Sequence, residues 1–397
     1  MGKIGIYGGS FNPPHLGHML AAREMAEALG LDRVLLVPAA TPPHKDMADG
    51  SPSGEQRLEM LRLASEGMEG VEVDGLELRR KGPSYTADTV KALHERYSKD
   101  KLYFLMGTDM FLSFHEWYKP EKICKHATLV TVRRAGTDSL SQLERQAERL
   151  KKNYGAKTVV LDNRVLEMSS TEARRMLRFQ CAESYLNKYV LDYIWAHRLY
   201  GVEEDLRCLP FDQLRKASLA LHDPRRVPHV IGCCGAASHL ALRWGCDETL
   251  AARAGILHDV TKALGKRAQL LLCEKYGIMT TEFERDHYKL LHARSGAAIA
   301  EHIFGESREV VDAIYWHTTG KANMALLEKI LYIADYMEPN RNFDGVRKMR
   351  ELTETDLDGA LLLGFEMSID LLKSENKPLD RFTVEARDFL LGERTKV

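Results

Sequence analysis

Hydrophobic positions in the first half of the chain fall into short apolar runs separated by amphipathic stretches. Each run has the length of a buried strand, and a stretch such as Met19 to Leu29 has helical spacing, with Gly30 where a helix would end. This alternation is typical of a parallel sheet covered by helices. The candidate strands are Lys3 to Gly8, Arg33 to Pro38, Lys101 to Met106, Ala127 to Val132 and Lys157 to Leu161. The pattern predicts an α/β fold with a doubly wound parallel sheet.

After about Leu199 the strand signals stop and only amphipathic stretches follow, so this half is predicted to be all-α. The stretches are Phe211 to Leu221, Val227 to Arg243, Thr249 to Leu257, Ala293 to Ile303, Glu309 to Trp316 and Leu326 to Tyr336. The acidic segment Gly201 to Arg207 is the natural junction, and 397 residues exceed one ordinary hydrophobic core. We therefore expect two domains, residues 1–200 and residues 205–397.

Composition narrows the classes of partner. Hydrophobic residues at 44%, charged residues at 28% and a net charge of −1 are typical of a soluble globular protein without overall attraction to polyanions. No stretch approaches the roughly 20 apolar residues that span a bilayer. We therefore expect a cytoplasmic protein with no nucleic-acid or membrane partner, and we expect its seven cysteines to be reduced. Whether the chain forms a homo-oligomer stays open.

A glycine-rich segment with two histidines joins the first predicted strand to the first helix. It reads Gly8-Gly9-Ser10-Phe11-Asn12-Pro13-Pro14-His15-Leu16-Gly17-His18. Glycines let the backbone approach a phosphate closely, and a helix start offers unpaired N–H groups. We expect Gly17 to leave room between the imidazoles of His15 and His18, which can stabilise charge developing at an attacked phosphate. The alternative is a purely structural role, in which one histidine caps the helix and the other packs beneath the sheet.

The complete string resembles the signature of the nucleotidyltransferases related in fold to class I aminoacyl-tRNA synthetases. The resemblance implies a Rossmann-like domain with catalytic His15 and His18 that binds ATP through Gly8, Gly9, Ser10, Phe11 and Gly17. A second segment, Met168 to Arg174, resembles the family's S-S-T-x-x-R motif. Its Ser169 and Glu172 have the spacing of a helix capping box. This segment is expected to hold the triphosphate through Ser169, Ser170, Thr171 and the catalytic Arg174.

Three further stretches resemble nicotinate-nucleotide adenylyltransferase in particular: Pro38 to Lys45, Ser84 to Thr89, and Met106 to Asp109 followed by Phe114 to Lys119. The resemblance implies that Thr86 and the backbone near Tyr118 hold the nicotinate carboxylate. It also implies that Trp117 stacks on the pyridine ring and that Lys45 lies near the phosphates. The alternative for Trp117 and Tyr118 is that they are ordinary half-buried aromatics.

Gly107 and Asp109 follow a predicted strand end, where such sheets bind ligands, and Asp109 can accept ribose hydroxyls. Arg133 and Arg134 follow another strand and are either nucleotide contacts or a solvated basic pair. The implied reaction converts ATP and nicotinate mononucleotide into the dinucleotide and pyrophosphate, with Mg²⁺ on the triphosphate. The open alternative is another adenylyl- or cytidylyltransferase, with an acceptor such as phosphopantetheine.

Histidines and aspartates in the second half follow an H…HD…D order: His229, then His258 and Asp259, then Asp335. Apolar residues precede both aspartates, so we expect them on buried helices, where an unpaired charge is costly. Mixed imidazole and carboxylate ligands suit Fe, Mn or Zn with positions left for water and phosphate oxygens. The alternative is a purely structural role, in which the histidines lie on helix faces and Asp259 and Asp335 are helix caps or salt-bridge partners.

Residues 205–397 resemble an HD-domain symmetrical bis(5'-nucleosyl)-tetraphosphatase, including its Y-x-H-T-T-G and I-A-D-Y-x-E-P runs. The resemblance implies that His229, His258, Asp259 and Asp335 bind a metal, with iron expected. His292, His317 and Thr318 would contact a phosphate or help to bind a second metal. The implied reaction cleaves diadenosine tetraphosphate into two ADP. The alternative is a non-catalytic nucleotide sensor that regulates the first half, and the residues single out no general base.

Overall fold

The computed structural model describes residues 1–42, 47, 50–80, 82–133, 139–162 and 168–395. The chain divides into two compact units, Met1–Glu203 (unit 1) and Glu204–Val397 (unit 2). The division falls inside the acidic segment that we singled out as the junction.

Unit 1 contains a six-stranded, all-parallel sheet, which confirms the predicted fold class. The five predicted strands are present within one residue of their expected bounds. The edge strand Val71–Val73 was missed because three residues are too few to show a period. The strands are β1 (Lys3–Gly9), β2 (Arg33–Pro38), β3 (Val71–Val73), β4 (Lys101–Met106), β5 (Ala127–Val132) and β6 (Thr158–Leu161).

The strand order is β3-β2-β1-β4-β5-β6, so the direction of winding reverses between β1 and β4. Tyr7 of β1 pairs with Leu105 of β4, which brings the carboxyl ends of these two strands together. A crevice forms at such a switch point because the connections leave toward opposite sides of the sheet. The glycine-rich segment after β1 and Gly107 after β4 both lie at this end of the sheet.

Helices of unit 1 cover the sheet and bury apolar side chains of both strands and helices. The first begins three residues before the predicted Met19 and ends at Gly30 in the left-handed conformation (φ 57°), as a helix C-terminus favours. The helices are α1 (Leu16–Leu29), α2 (Gly54–Ser65), α3 (Thr86–Arg96), α4 (Thr108–Leu112), α5 (Pro120–His126), α6 (Leu140–Tyr154), α7 (Ser170–Arg178) and α8 (Lys188–Ala196), with 3₁₀ turns at Phe114–Glu116 and Leu199–Gly201.

The described part of unit 2 has helices and no strands, which confirms the all-α prediction. The six predicted stretches are helices with ends displaced by at most two residues. All the unit 2 helices are α9 (Phe211–Leu221), α10 (Val227–Trp244), α11 (Glu248–Leu257), α12 (Lys266–Lys275), α13 (Glu282–Asp286), α14 (Leu291–His302), α15 (Arg308–Trp316), α16 (Leu326–Met337), α17 (Val346–Thr353), α18 (Leu357–Ser374) and α19 (Arg381–Arg394), with 3₁₀ turns at Pro224–Arg226 and Tyr288–Leu290.

The centre of unit 2 is formed by α10, α11, α14, α15 and α16, which pack on one another. Their facing positions are almost completely buried and apolar, for example Ala237, Ile256, Ile314 and Ile330. Polar side chains in this interior therefore need partners there. Among the described residues, none of the helices is long and apolar enough to cross a membrane.

Candidate active sites

The two motif histidines of unit 1 lie together at the start of α1. The imidazole of His18 accepts a hydrogen bond at Nδ1 from the backbone N–H of His15 (3.1 Å), and the two rings stack with centroids 3.5 Å apart. The expected role of Gly17 was wrong in detail. A Cβ on Gly17 would stand 3.1 Å from the ring of His15 and 3.2 Å from Cβ of Met168. The absence of a side chain at Gly17 therefore makes room between His15 and Met168, and not between the two imidazoles.

Both imidazoles are neutral at physiological pH. Burial lowers the pKa of His15 to about 4. Burial, and the repulsion that a second protonated ring at His15 would exert, hold the pKa of His18 well below its usual value. Because Nδ1 of His18 accepts a hydrogen bond, the proton of this neutral ring is on Nε2 and can be donated. Nδ1 of His15 is buried without a hydrogen-bond partner in the described chain. The pair can therefore donate hydrogen bonds to an anionic ligand without itself carrying charge.

Side chains from later parts of unit 1 hold the glycine-rich segment in place. Ser170 and Arg174 of the second motif contact the first motif. Arg57 and Tyr200, which belong to no sequence motif, contact it as well. The hydrogen bonds run from Arg57 Nη1 to Ser10 O (2.7 Å), Arg174 Nη1 to Asn12 O (2.6 Å), Ser170 Oγ to Pro13 O (3.0 Å) and Tyr200 Oη to Asn12 Oδ1 (2.8 Å).

The start of α7 carries the remaining residues of the second motif. Oγ of Ser169 accepts from the backbone N–H of Glu172 (3.1 Å), as expected for a helix cap. Oγ1 of Thr171 accepts from Nη2 of Arg174 (3.2 Å). The guanidinium of Arg174 lies partly out of water beside the motif segment, and this burial lowers its pKa. A guanidinium in such surroundings binds phosphate more strongly than one in solvent.

The proposed acceptor residues converge at the start of α3. Thr86 is the first residue of this helix, and the rings of Tyr85 and Tyr118 stack with centroids 4.2 Å apart, which brings Thr86 and Tyr118 near each other. Trp117 packs on the hydrophobic core with its ring tilted against Phe114 (5.3 Å) and is half-buried. Trp117 therefore has both a packing role and surface left for a ligand.

Other predicted nucleotide contacts lie at the same edge of the sheet. Gly107 precedes α4, and Asp109 is exposed in its first turn. Arg133 is paired with Asp162 (2.7 Å), which favours a structural role for it. Lys45 and Arg134 lie outside the described residues.

In unit 2 the four predicted metal ligands come together with two further histidines. They lie at helix ends: His229 in the first turn of α10, His258 directly after α11, His292 in the first turn of α14, His317 directly after α15 and Asp335 in the last turn of α16. Asp259 was expected on a helix but lies two residues beyond the last residue of α11. It is 2% exposed, because the α11 end turns into the interior.

The carboxylate of Asp259 faces a different pair of histidines with each oxygen. Oδ2 is 3.6 Å from Nε2 of His229 and 3.4 Å from Nε2 of His258. Oδ1 is 3.1 Å from Nε2 of His292 and 3.8 Å from Nε2 of His317. Two groups of side chains here have ligand atoms within 4.8 Å of one another, namely His229 with His258 and Asp335, and His258 with Asp259 and His317.

This donor set fits a cation. Nδ1 of both His292 and His317 faces a backbone carbonyl oxygen, so both rings carry a proton on that nitrogen. Burial lowers the pKa of each, to about 4 for His292, so the rings are neutral. Their Nε2 atoms then face each other at 3.1 Å, and Nε2 of His292 accepts a hydrogen bond from Nζ of Lys262 at 3.0 Å, so a positive charge lies beside the two rings. Thr318, the remaining predicted residue, is half-buried next to His317.

The charged groups of the cluster are Asp259, Asp335 and His229. Burial alone would raise the pKa of Asp259 and Asp335, but the surrounding histidines hold both pKa values well below the usual range. Burial would lower the pKa of His229, yet hydrogen bonds to the carboxylates of Asp259, Asp335 and Glu338 raise it to about 9. A divalent cation would take the place of that proton.

Cationic side chains that the sequence analysis missed surround the cluster. Arg226 pairs with Oδ2 of Asp259, Lys262 lies 3.5 Å from Oδ1 of Asp259, and Arg341 lies 2.7 Å from Oδ1 of Asp335. Their side chains are 32%, 34% and 38% exposed, so each reaches from these carboxylates to solvent. Such groups can bind further phosphates of a substrate held at the cluster.

Fold and sites define a chain with a nucleotidyltransferase unit and a helical unit that carries a candidate metal-binding cluster. Residues 6–176 match the cytidylyltransferase-like family, and residues 226–340 match the HD domain family, whose members bind divalent metals. The chain is 40% identical to a probable nicotinate-nucleotide adenylyltransferase of Carboxydothermus hydrogenoformans, over 50% of this chain and 98% of that relative. A relative of the same description from Gloeobacter violaceus is 37% identical, over 50% of this chain and 97% of its own length.

Through its first half the chain therefore belongs to the nicotinate-nucleotide adenylyltransferase family. Among solved structures, a predicted HD superfamily hydrolase involved in NAD metabolism from Clostridium acetobutylicum is 33% identical with a TM-score of 0.45, over 47% of this chain and 98% of that one. The predicted resemblance to an adenylyltransferase is confirmed for the first half, and the presence of an HD domain is confirmed for the second.

Proposed function

We propose that unit 1 transfers the adenylyl group of ATP to nicotinate mononucleotide in NAD biosynthesis. The observation that carries the proposal is the neutral His15–His18 pair at the switch point of the sheet, in a chain of this family. The phosphate of the mononucleotide attacks the α-phosphorus of ATP and pyrophosphate leaves, so no protein nucleophile is needed. Mg²⁺ would be held chiefly by oxygens of the triphosphate.

In this proposal the acceptor is recognised by the start of α3 and the neighbouring aromatic residues. A helix N-terminus favours a carboxylate, and the hydroxyl of Thr86 adds a donor there. An electron-poor pyridinium ring is suited to stacking on Trp117. These features favour nicotinate over nicotinamide mononucleotide, because the amide carries no charge.

The test compares turnover of nicotinate mononucleotide, nicotinamide mononucleotide and phosphopantetheine with ATP and Mg²⁺. We expect the nicotinate form to have the largest kcat/KM, and Thr86→Val to narrow its advantage over the amide. Lys91→Ala, at an exposed position on the same helix, is the matched control and should leave the preference unchanged. Equal turnover of both mononucleotides, or a preference for phosphopantetheine, would remove the assignment.

We further propose that unit 2 hydrolyses phosphoanhydrides at a metal centre, with diadenosine tetraphosphate cleaved symmetrically into two ADP. His229, His258, Asp259 and Asp335 would hold the metal, which would activate water and neutralise phosphate charge. His292 and His317 face the second oxygen of Asp259 and would hold a second metal or a phosphate. The observation that carries the metal site is the presence of two groups of ligand atoms, sharing His258, that within each group lie within 4.8 Å of one another.

The substrate class is supported by the charges around the cluster. Arg226, Lys262 and Arg341 lie around one cluster and reach solvent, where they can contact the phosphates of a substrate. A polyphosphate bridge offers enough charge for all of them. The assignment of the tetraphosphate itself rests on the sequence resemblance.

The experiment measures nucleotide release from diadenosine tetraphosphate by metal-stripped full-length protein after adding Fe²⁺, Mn²⁺ or Zn²⁺. ADP as the sole product supports symmetrical cleavage, whereas ATP and AMP in equal amounts would contradict it. Tight binding without turnover under every metal would replace the hydrolase by a nucleotide sensor.

A further inference from the structure

The four histidines of the unit 2 cluster differ in the group that holds Nδ1. Each points Nε2 into the cluster and Nδ1 away from it. In three of them Nδ1 faces the backbone carbonyl three residues earlier in the chain: His258 with Gly255 O (2.8 Å), His292 with Lys289 O, and His317 with Ile314 O (2.6 Å). Those rings are oriented by their own helix ends and need no other side chain.

His229 is the exception, because its Nδ1 faces the carboxylate of Glu338, 3.1 Å from Oε1. Glu338 directly follows α16, three residues after Asp335, and only 1% of its surface is exposed. Its other oxygen, Oε2, accepts from the backbone N–H (2.7 Å) and from Nδ2 (2.9 Å) of Asn340. The same amide nitrogen donates to the carbonyl of Pro228 (3.0 Å), the residue before His229.

Space for this buried carboxylate depends on Gly232. This glycine lies three residues after His229 on α10, facing α16. A Cβ there would overlap Oε2 of Glu338 and stand 3.0 Å from Nδ2 of Asn340. Gly235, three residues further along the same helix, has open space around the equivalent atom. The requirement for glycine is therefore local to the Glu338 carboxylate and is not a property of the helix.

We propose that Glu338 is a positioning residue that fixes the tautomer and orientation of His229. A neutral imidazole that donates from Nδ1 to a carboxylate presents the lone pair of Nε2, which is the form that binds a metal. Nε2 of His229 lies 3.1 Å from Oδ1 of Asp335, so the oriented lone pair is directed at the other ligands. The inference rests on the proposed metal centre of unit 2 and extends it to two residues, Glu338 and Gly232.

The test measures Mn²⁺ affinity by isothermal titration calorimetry on metal-stripped, full-length protein. Loss of an outer partner of a metal-bound histidine weakens metal binding by about 10- to 100-fold. We expect that loss for Glu338→Ala and for Gly232→Ala, and no change for the control Gly235→Ala. The visible spectrum of bound Co²⁺, which reports ligand geometry, should change in the first two variants and not in the control.

A double-mutant cycle separates positioning from general destabilisation. Removing the Glu338 side chain leaves room for a methyl group at position 232, so Gly232→Ala should weaken Mn²⁺ binding in the wild-type background and have little further effect in the Glu338→Ala background. Additive losses would overturn the proposal, and so would equal losses in Gly232→Ala and Gly235→Ala. Glu338→Ala introduces no steric conflict, so it carries the test if Gly232→Ala fails to fold.

Failure of the metal centre and failure of the positioning role are distinguishable. If wild-type protein binds no Mn²⁺, Co²⁺ or Fe²⁺, both proposals are overturned. If wild-type protein binds metal and Glu338→Ala binds it equally tightly with an unchanged Co²⁺ spectrum, the metal centre stands and the role of Glu338 is overturned.

Discussion

The two sites of this chain handle charge in opposite ways. In unit 1 the motif histidines are neutral and stacked, and the segment around them is held by hydrogen bonds to backbone oxygens of Ser10, Asn12 and Pro13. In unit 2 the histidines surround buried carboxylates, and ring nitrogens face one another at 3.1 Å and 3.3 Å. The first site offers donors to an anion, and the second offers acceptors to a cation.

We propose a resident metal for unit 2 and none for unit 1, and this difference in donors and acceptors is the reason. A preformed set of neutral donors can bind a phosphate and stabilise its developing charge at once. A buried cluster of acceptors would need a bound cation, held here by His229, His258, Asp259 and Asp335, which would supply the positive charge that attracts a phosphate. Changes that remove charge should therefore affect unit 2 most, and changes that remove hydrogen bonds should affect unit 1 most.

The largest effect is expected for Asp259→Asn, which keeps the shape of the side chain and removes the charge that both histidine pairs face. Hydrolysis of diadenosine tetraphosphate should fall at least about 1000-fold, because metal binding lowers the pKa of water by several units and that activation is lost. Metal content, measured by mass spectrometry, should fall with it. Dinucleotide synthesis should be unchanged, and its loss in this variant would show that the two units are not independent.

A smaller loss, about 100- to 1000-fold in kcat for dinucleotide synthesis, is expected for His18→Ala. The change removes a donor aimed at the developing charge. His197→Ala is the matched control in unit 1, since this histidine is exposed and its ring contact in the described chain is a tilted one with Tyr193. Hydrolysis by His18→Ala should equal that of wild type. Synthesis at the wild-type rate would contradict the role of the imidazole pair.

The regular elements of both units could be predicted from sequence because their signals are local. Strands such as Arg33–Pro38 are continuous apolar runs, and α9 has clear helical spacing over Phe211–Leu221. The edge strand Val71–Val73 escaped because its three residues are mixed and only partly buried. Asp259 was placed on a helix because its apolar neighbours carry no sign that α11 ends before it.

Partners that come from distant parts of the chain were not predictable. Arg57 and Tyr200 contact the glycine-rich segment across 47 and 188 residues, and nothing in their own neighbourhoods differs from an ordinary amphipathic helix or a turn. Glu338 lies in the I-A-D-Y-x-E-P run, but nothing in that run indicates its contact with His229, 109 residues away. A motif shows which residue types are present, whereas packing decides which of them contact one another.

Acidification should weaken unit 1 through its neutral histidines. The pKa of His15 is about 4 in the folded chain and about 6.5 when unfolded, so the unfolded state binds more protons between these values. The contribution of neutral His15 to the free energy of unfolding is fully present above about pH 6.5. It is lost as pH falls toward 4, by about 2 kcal/mol between pH 6.5 and 5. Calorimetry of the transition that ATP shifts should show this loss, and His15→Asn should reduce it. An equal pH dependence in His15→Asn would exclude His15 as its source.

The smallest effect is expected for Tyr200→Phe, which removes the hydrogen bond from Oη to Oδ1 of Asn12 and keeps the ring. Asn12 is 4% exposed, so its side-chain oxygen loses a partner that water cannot easily replace, at a cost of about 1 to 2 kcal/mol. Dinucleotide synthesis should fall several-fold, because Asn12 lies between the two phosphate-binding motifs, while hydrolysis stays unchanged. Tyr189→Phe, at a residue 55% exposed on α8, is the control and should alter neither activity. Wild-type synthesis and stability in Tyr200→Phe would show that the motif segment is held without this contact, and that unit 1 depends less on distant hydrogen bonds than the comparison with unit 2 implies.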